Sequence, residues 1–376
     1  MAMNNSLTRR SFLAGAAAVA ATAGLAACGG SASSSSAAGS AAGSAAAGSS
    51  ASDNQNEVTE VKWARANSGN IFVTLAQEKG YFEEYGLKVT EEPISGGAAD
   101  FFSALSSEQV DVTSNNGTMA LPEIAKGVDL TIVGGYMLQG MYLIAPKGTK
   151  WNGIQDVVGK KIAHSQPQIP VCYALDQAGF DPATSVEWFQ VSTGADRLAA
   201  VVAGEADYGY MPGDMMYTVK NSNDVDIVCY ADELMPAYGC CRMNMRTQFV
   251  NDNPNTVKSI MKAMVRANQY FHANLDECVT ILAQQLNTDE EYVAAYLKDP
   301  HYIPDTDPVK NNVVNSWDIY QKVGLINPDD AAKIKIEDHI REDIYKAALD
   351  EVIAEHKDDD PEWYEGRLEF FQKYNA

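Results

Sequence analysis

The sequence predicts an α/β protein of two lobes, each a mostly parallel sheet flanked by helices. Three observations predict it. From Glu57 onward short apolar strands alternate with helices of about ten residues, the pattern of sheets covered on both faces. The alternation runs twice, with a second set starting at Lys160 and ending in a return strand, YGCCRMNM (238–245). One segment also recurs: SGGAADFFSALSSEQVDVTSNNGT (95–118) is echoed 96 positions later by TGADRLAAVVAGEADY, with Ala99-Asp100 on Ala195-Asp196, Ala104 on Ala200 and Asp111 on Asp207. Short Ala-rich helices also align by chance, so coincidence and duplication both account for the match.

The first 27 residues read as an export address. Thr8-Arg9-Arg10-Ser11-Phe12-Leu13 has the form of a twin-arginine signal, and the Ala/Gly-rich run after it, about 15 residues, is shorter than the ~20 needed to span a bilayer. Leu25-Ala26-Ala27-Cys28 has the form of a lipobox, which makes Cys28 the expected lipidated N-terminus. Residues 28–56, almost all Ser, Ala and Gly, carry no apolar face to bury. They form a tether with a mean reach on the order of 30 Å.

The chain from Glu57 to its end is too long for one compact core, so two lobes are the default. The strands expected in the first are VKWA (61–64), LKVTEEP (87–93), VDVTS (110–114) and the run through Leu130–Val133, with MYLIAPKG (141–148) leaving it. The second takes KKIAH (160–164), VEWFQV (186–191), ADYGY (206–210) and VDIVCY (225–230). Beyond Pro254 apolar residues recur at three- and four-residue spacing, the mark of amphipathic helices. The expected boundaries are 57–144 with 245–338 for lobe 1, 145–244 for lobe 2, and 339–376 for a C-terminal helical extension.

Composition narrows the function. With 28 Lys+Arg against 50 Asp+Glu, the net charge of −22 argues against nucleic acid and against direct contact with anionic lipid. Besides Cys28 there are five cysteines (172, 229, 240, 241, 278) and no CxxC; at most two disulfides are expected, and none is preferred. The five histidines lack metal-ligand spacing, and no Cys-His or Ser-His-Asp constellation or phosphate loop is present. Neither metal, cofactor nor enzymatic activity is expected.

Asn67-Ser68-Gly69 ahead of LAQEKGYFEEYGLKVT (75–90), with Gly80-Tyr81-Phe82 and Gly86-Leu87-Lys88-Val89, resembles the extracytoplasmic substrate-binding proteins of ABC importers, within them the nitrate, sulfonate, taurine and thiamine-pyrimidine-precursor branch. LIAPKG (143–148), the Val/Ala-Asp pairs at 110–111 and 206–207, and IYQKVGLI (319–326) extend the resemblance over roughly residues 58–350. It implies the type II periplasmic binding protein fold, two lobes joined by two crossovers, placed here near Leu143–Pro146 and Tyr238–Met243. With the lipobox, the expected protein is a monomer anchored to the bacterial cell membrane through lipid alone, and the resemblance implies that it passes a small molecule to an ABC permease and its ATPase. A sensory receptor on the same fold and a pyrimidine-biosynthesis-like enzyme are the rival readings.

Candidate ligand contacts are the polar groups at expected strand ends: Asn67, Ser68, Gly96, Gly97, Asn116, Thr118 and Gln139 in lobe 1, and Gln166, Ser192, Thr193, Gly194, Tyr210 and Asp214 in lobe 2. Two glycine turns at helix starts would offer backbone N–H donors to a sulfonate or carboxylate. Any one of these residues is equally well explained as a cap or turn. Arg65 and Arg197 are the basic residues near these loops, and covering apolar surface accounts for Arg197. Asp100 and Asp196 complement their helix dipoles. Asp214 suits an amine or a pyrimidine nitrogen, so the ligand's charge stays open.

Overall fold

Alternating burial makes EVKWAR the first strand: Val61 and Trp63 point inward while Glu60 and Lys62 face water. The computed structural model describes residues 55–65, 70–95, 98–114 and 119–376. The signal, Cys28 and the tether as far as Asn54 lie outside the described residues, as do Asn67, Ser68, Gly96, Gly97, Asn116 and Thr118.

Eleven described strands build two sheets: β1 (Glu60–Arg65), β2 (Lys88–Pro93), β3 (Val112–Thr113), β4 (Thr131–Gln139), β5 (Tyr142–Pro146), β6 (Lys160–Ala163), β7 (Val186–Phe189), β8 (Tyr208–Met211), β9 (Val225–Tyr230), β10 (Cys241–Met245) and β11 (Ile303–Pro304). The first sheet runs β11-β4-β10-β3-β1-β2 and the second β7-β6-β8-β5-β9. β1 is parallel to β2 and β3, while β10 returns antiparallel between β3 and β4. β6 is parallel to β7 and β8, and β5 runs against β8 and β9.

The chain passes between the sheets at Gly140-Met141 and again through residues 231–240. The boundaries expected at 144 and 244 therefore fall inside β5 and β10. A ladder of backbone hydrogen bonds holds each of those strands as a unit, β5 in the second sheet and β10 in the first. Residues 339–376, expected as an extension, instead pack into the first lobe. Arg341 N–H donates to Ile132 O at 2.9 Å, and Tyr345, Leu349 and Val352 of the Glu342–His356 helix are fully buried, that helix lying on the Pro254–Ala273 helix.

The repeated segment is a structural repeat, and its agreement extends to the backbone. Lys62 N–H donates to Asp111 Oδ2 at 2.9 Å while Asp111 N–H donates to Lys62 O. In the second lobe Lys161 N–H donates to Asp207 Oδ2, also at 2.9 Å, and Asp207 N–H to Lys161 O. The Ala98–Ser106 and Gly194–Val202 helices end alike, with Gln109 and Val110 N–H on Ala104 O, and Glu205 and Ala206 N–H on Ala200 O. Each closing turn needs one left-handed residue: Gly204 at φ 72° in the second copy, Glu108 at φ 60° in the first.

A cluster of buried charge fixes the junction of the lobes to the end of the chain. Arg367, in the Pro361–Asn375 helix, donates to both carboxylate oxygens of Asp305 at 2.6 and 2.8 Å and stands 3.6 Å from Asp307 Oδ2. Asp307 Oδ1 accepts from Val309 N–H and Asn375 Nδ2, both at 2.8 Å. Arg242 of β10, with no exposed surface, donates to Asp307 O and, at 2.7 Å, to Met137 O. Its guanidinium passes over Gly135, where an added Cβ would stand 2.4 Å from Arg242 Nη1 and from Asp307 O.

Glu108 is exposed and in a conformation that costs a side-chain-bearing residue about 1–2 kcal/mol. Glu108→Gly is expected to stabilise the protein by about 0.5–1 kcal/mol after the loss of unfolded-state entropy, and Gly204→Glu to destabilise it by a similar amount. The midpoint of urea unfolding reads both, and a lowered midpoint for Glu108→Gly would contradict the assignment.

Candidate functional site

The ends of β6 and β8 and the start of the Gly194–Val202 helix converge on the face of the second lobe that meets the first. Here the expected polar residues separate into those that hold the site together and those left open to a ligand. Thr193 caps its helix: its Oγ1 accepts from Asp196 N–H at 3.1 Å and donates to Asp196 Oδ2 at 2.7 Å. Gly194 is required by packing, since a Cβ there would come within 2.6 Å of Met215 Cγ. Ser192 stays exposed, while its carbonyl accepts from Arg197 Nη2 at 2.8 Å.

Arg197 does more than cover apolar surface. It is buried, and Nη1 also donates to Tyr210 O at 3.1 Å, so one guanidinium ties the loop before the helix to the end of β8. Tyr210 points into the second lobe's core beside Leu143, Val171 and Cys229, is 1% exposed, and leaves its hydroxyl without a partner; it does not line an open surface. Gln139 is likewise buried. Its Nε2 donates to Met235 O at 2.9 Å, joining the end of β4 to the second passage between lobes.

Gln166 reaches the other lobe, its Nε2 lying 2.8 Å from Met119 Sδ. Its backbone N–H and Gln168 Nε2 both point at His164 Nδ1, at 3.3 and 2.9 Å, and the imidazole stands edge-on to Tyr210. His164 escapes a sequence reading that looks for metal spacing, although its place at the end of KKIAH marks it as a strand-end polar group. Burial, with the Arg197 charge adding to it, lowers its pKa to about 3, so the ring is neutral, and Nδ1 also lies 3.1 Å from Gln166 O. Asp214 lies in the Gly213–Met215 turn after β8, open to water, yet its acidity is weakened by lost hydration, with Arg197 acting in the opposite sense. Its charge is felt by Tyr142 at the start of β5 and by Tyr292 and Tyr296 of the Glu290–Leu297 helix.

Among the described residues no group of three or more His, Cys, Asp or Glu side chains is arranged to hold a metal ion, and no helix is long and apolar enough to cross a membrane. Two α/β lobes that meet across strand ends and are joined by two chain passages define the periplasmic-binding-protein class of fold. The chain belongs to the NMT1/THI5-like family, whose model matches residues 67–278. It is 22% identical over 287 residues, 73% of this chain and 85% of the relative, to the "Putative binding protein YtlA" of Bacillus subtilis (strain 168). Among solved structures it is similar to the periplasmic nitrate-binding protein NrtA from Synechocystis PCC 6803 (TM-score 0.64, 17% identity, 79% of this chain and 90% of that one). It is also similar to the periplasmic aliphatic sulphonate binding protein SsuA from Escherichia coli (TM-score 0.61, 17% identity, 72% and 89%).

A buried neutral histidine makes stability depend on pH with a definite sign. Between its unfolded value near 6.5 and its folded value near 3, the unfolded chain binds a proton that the folded one does not, so stability is full above pH 6.5 and falls as pH drops. The difference in unfolding free energy between the wild type and His164→Gln is expected to shrink by about 1.4 kcal/mol per pH unit from pH 6 to 4. Parallel urea titrations at those pH values test it, and parallel stability curves would contradict it.

Proposed function

We propose that this protein is an extracytoplasmic solute-binding protein that captures a small polar organic solute between its lobes and delivers it to an ABC permease and its ATPase. The observation that carries the reading is the pair of equivalent lobes, each ending its parallel strands toward the other, linked by two passages that Gln139 ties together. Such a linkage permits closure of one lobe on the other with few backbone changes. Family membership supports it, and so does the likeness to the nitrate-binding NrtA and the sulphonate-binding SsuA.

For the ligand, sulfonate, carboxylate and pyrimidine-like solutes are the classes that fit, and Asp214 favours one bearing a hydrogen-bond donor. The glycine turns that would serve an anionic group on the first lobe, at Gly96 and Gly97, belong to this proposal together with Asn67, Ser68, Asn116 and Thr118. Binding at a hundredfold excess over the dissociation constant stabilises the folded form by about 2.7 kcal/mol. A thermal-melt library of sulfonates, carboxylates, amines and pyrimidines is therefore expected to raise Tm for one class. Asp214→Asn is expected to weaken that ligand at least about tenfold, the usual scale for losing a charged hydrogen bond. Tighter binding in the variant would indicate a simple anion, and product formed on prolonged incubation would replace the binding reading with an enzymatic one.

The mature protein in this proposal is a monomer, and the N-terminal motifs support its being held at the cell membrane by lipid on Cys28. Cys28→Ala is then expected to move it from the membrane fraction to the soluble one. Retention after a salt wash would place the anchor elsewhere.

A further inference from the structure

The second passage between the lobes carries two consecutive cysteines that the ligand reading does not use. Cys240 closes a turn in which its N–H donates to Tyr238 O at 2.8 Å, and Cys241 begins β10. Directly after it, between Cys241 and Arg242, the pairing of β10 with β4 shifts register. The two sulfurs stand 3.7 Å apart, Cys241 Sγ donating to Cys240 Sγ. Both residues are partly exposed, whereas Cys172, Cys229 and Cys278 are buried. Tyrosines of both lobes lie within electrostatic reach: Tyr136 feels both thiols, Tyr302 that of Cys241 and Tyr210 that of Cys240.

We propose that Cys240 and Cys241 are a reversible thiol–disulfide site, whose oxidised form is a vicinal disulfide that clamps the second crossover. The sulfurs need to approach by a further ~1.7 Å to reach bonding distance, a movement within the scope of side-chain rotation. The turn before them and the irregular pairing after them leave the backbone room to adjust. Contact between the two sulfurs selects this pair, while Cys172, Cys229 and Cys278 are each buried.

The chemistry balances with a disulfide-class oxidant, R–S–S–R. One cysteine thiolate attacks it, forming a mixed disulfide and releasing R–SH; the second displaces the other R–SH and closes the ring. The two cysteines lose two hydrogens and two electrons, and the oxidant is reduced to two thiols. Either thiolate can open the exchange, its neighbour's sulfur 3.7 Å away then resolving the mixed disulfide. Adjacent Cα atoms lie about 3.8 Å apart, closer than the ~4.4–6.8 Å of ordinary disulfides, so the ring is easily reopened by thiols. Export, part of the function proposed above, would put the pair among oxidants, although the chemistry itself does not depend on it.

Closing the ring removes rotation at two neighbouring residues of a passage that must twist when the lobes move. The test uses the purified full chain, incubated with oxidised glutathione, alkylated, digested and weighed. The peptide containing Cys240 and Cys241 is expected to be about 2 Da lighter and to take no alkyl group, with two groups regained after dithiothreitol, while Cys172, Cys229 and Cys278 stay reduced. Two alkyl groups after oxidation, a stable glutathione adduct or a disulfide-linked dimer would each overturn the site. The clamp has its own readout in amide hydrogen exchange over residues 236–243. Exchange is expected to slow at least about tenfold on oxidation of the wild type and to stay unchanged in Cys240→Ser/Cys241→Ser treated alike. Equal exchange in oxidised and reduced wild type would overturn the clamp.

Discussion

Two arginines and two aspartates, all but sealed from water, sit where the lobes join. Arg242, Arg367, Asp305 and Asp307 balance in charge; Asp307 N–H donates to Asp305 of the bidentate Arg367–Asp305 pair, and Asn375 and Val309 N–H donate to Asp307. Removing one partner from such a cluster leaves a bare charge in a poorly polarisable interior, at a cost of about 3–5 kcal/mol against a total stability of about 5–15 kcal/mol. The positions of several remote elements follow from that one requirement. β4 must carry glycine at 135 so that the guanidinium can cross it, β10 must return beside β4 to present Arg242, and the last helix must lie across the junction to bring Arg367 and Asn375.

This is also why the C-terminal segment reads as an appendage in the sequence and is none in the fold. An Asp or Arg in a sequence carries no mark of burial, and the default for a charge is the surface. Strands were legible because period-2 apolar spacing survives in VKWA and in VDIVCY; the repeat was legible because Asp111 and Asp207 do the same backbone work in both lobes. The polar residues at strand ends were legible as a set and ambiguous one by one. Thr193, Gln139 and Tyr210 are spent on a cap, a strut and a core, whereas Gln166, Ser192 and Asp214 remain at the surface where the lobes meet. Residue type alone does not separate those fates, since a hydroxyl or amide serves a helix end as readily as a solute. His164 was hidden for a related reason: its neutrality comes from burial and a nearby guanidinium, neither of which is encoded locally.

The division of labour between the lobes follows from the repeat. The second lobe uses its copy to build a rigid corner, with Arg197 reaching two carbonyls at once. The first lobe has no arginine at the matching position, where Phe101 packs inward instead. Equivalent backbones thus carry unequal side chains at this position, a guanidinium in one lobe and a buried phenyl ring in the other.

The interleaving of the lobes also sets the order in which the molecule can be completed. Every strand of the second sheet lies between Tyr142 and Tyr230, so that sheet has all its strands as soon as this stretch of chain is available. The first sheet begins with Glu60, is interrupted by the whole of the other lobe, and reaches its buried charge balance only when Arg367 and Asn375 arrive, the latter one residue from the end. Its contacts span long stretches of chain, which makes their closure entropically slow. A chain emerging from its N-terminus therefore carries one lobe with its strands complete and one unfinished lobe, whose open strand edges wait for β10 and β11 and whose buried aspartates wait for the final helix.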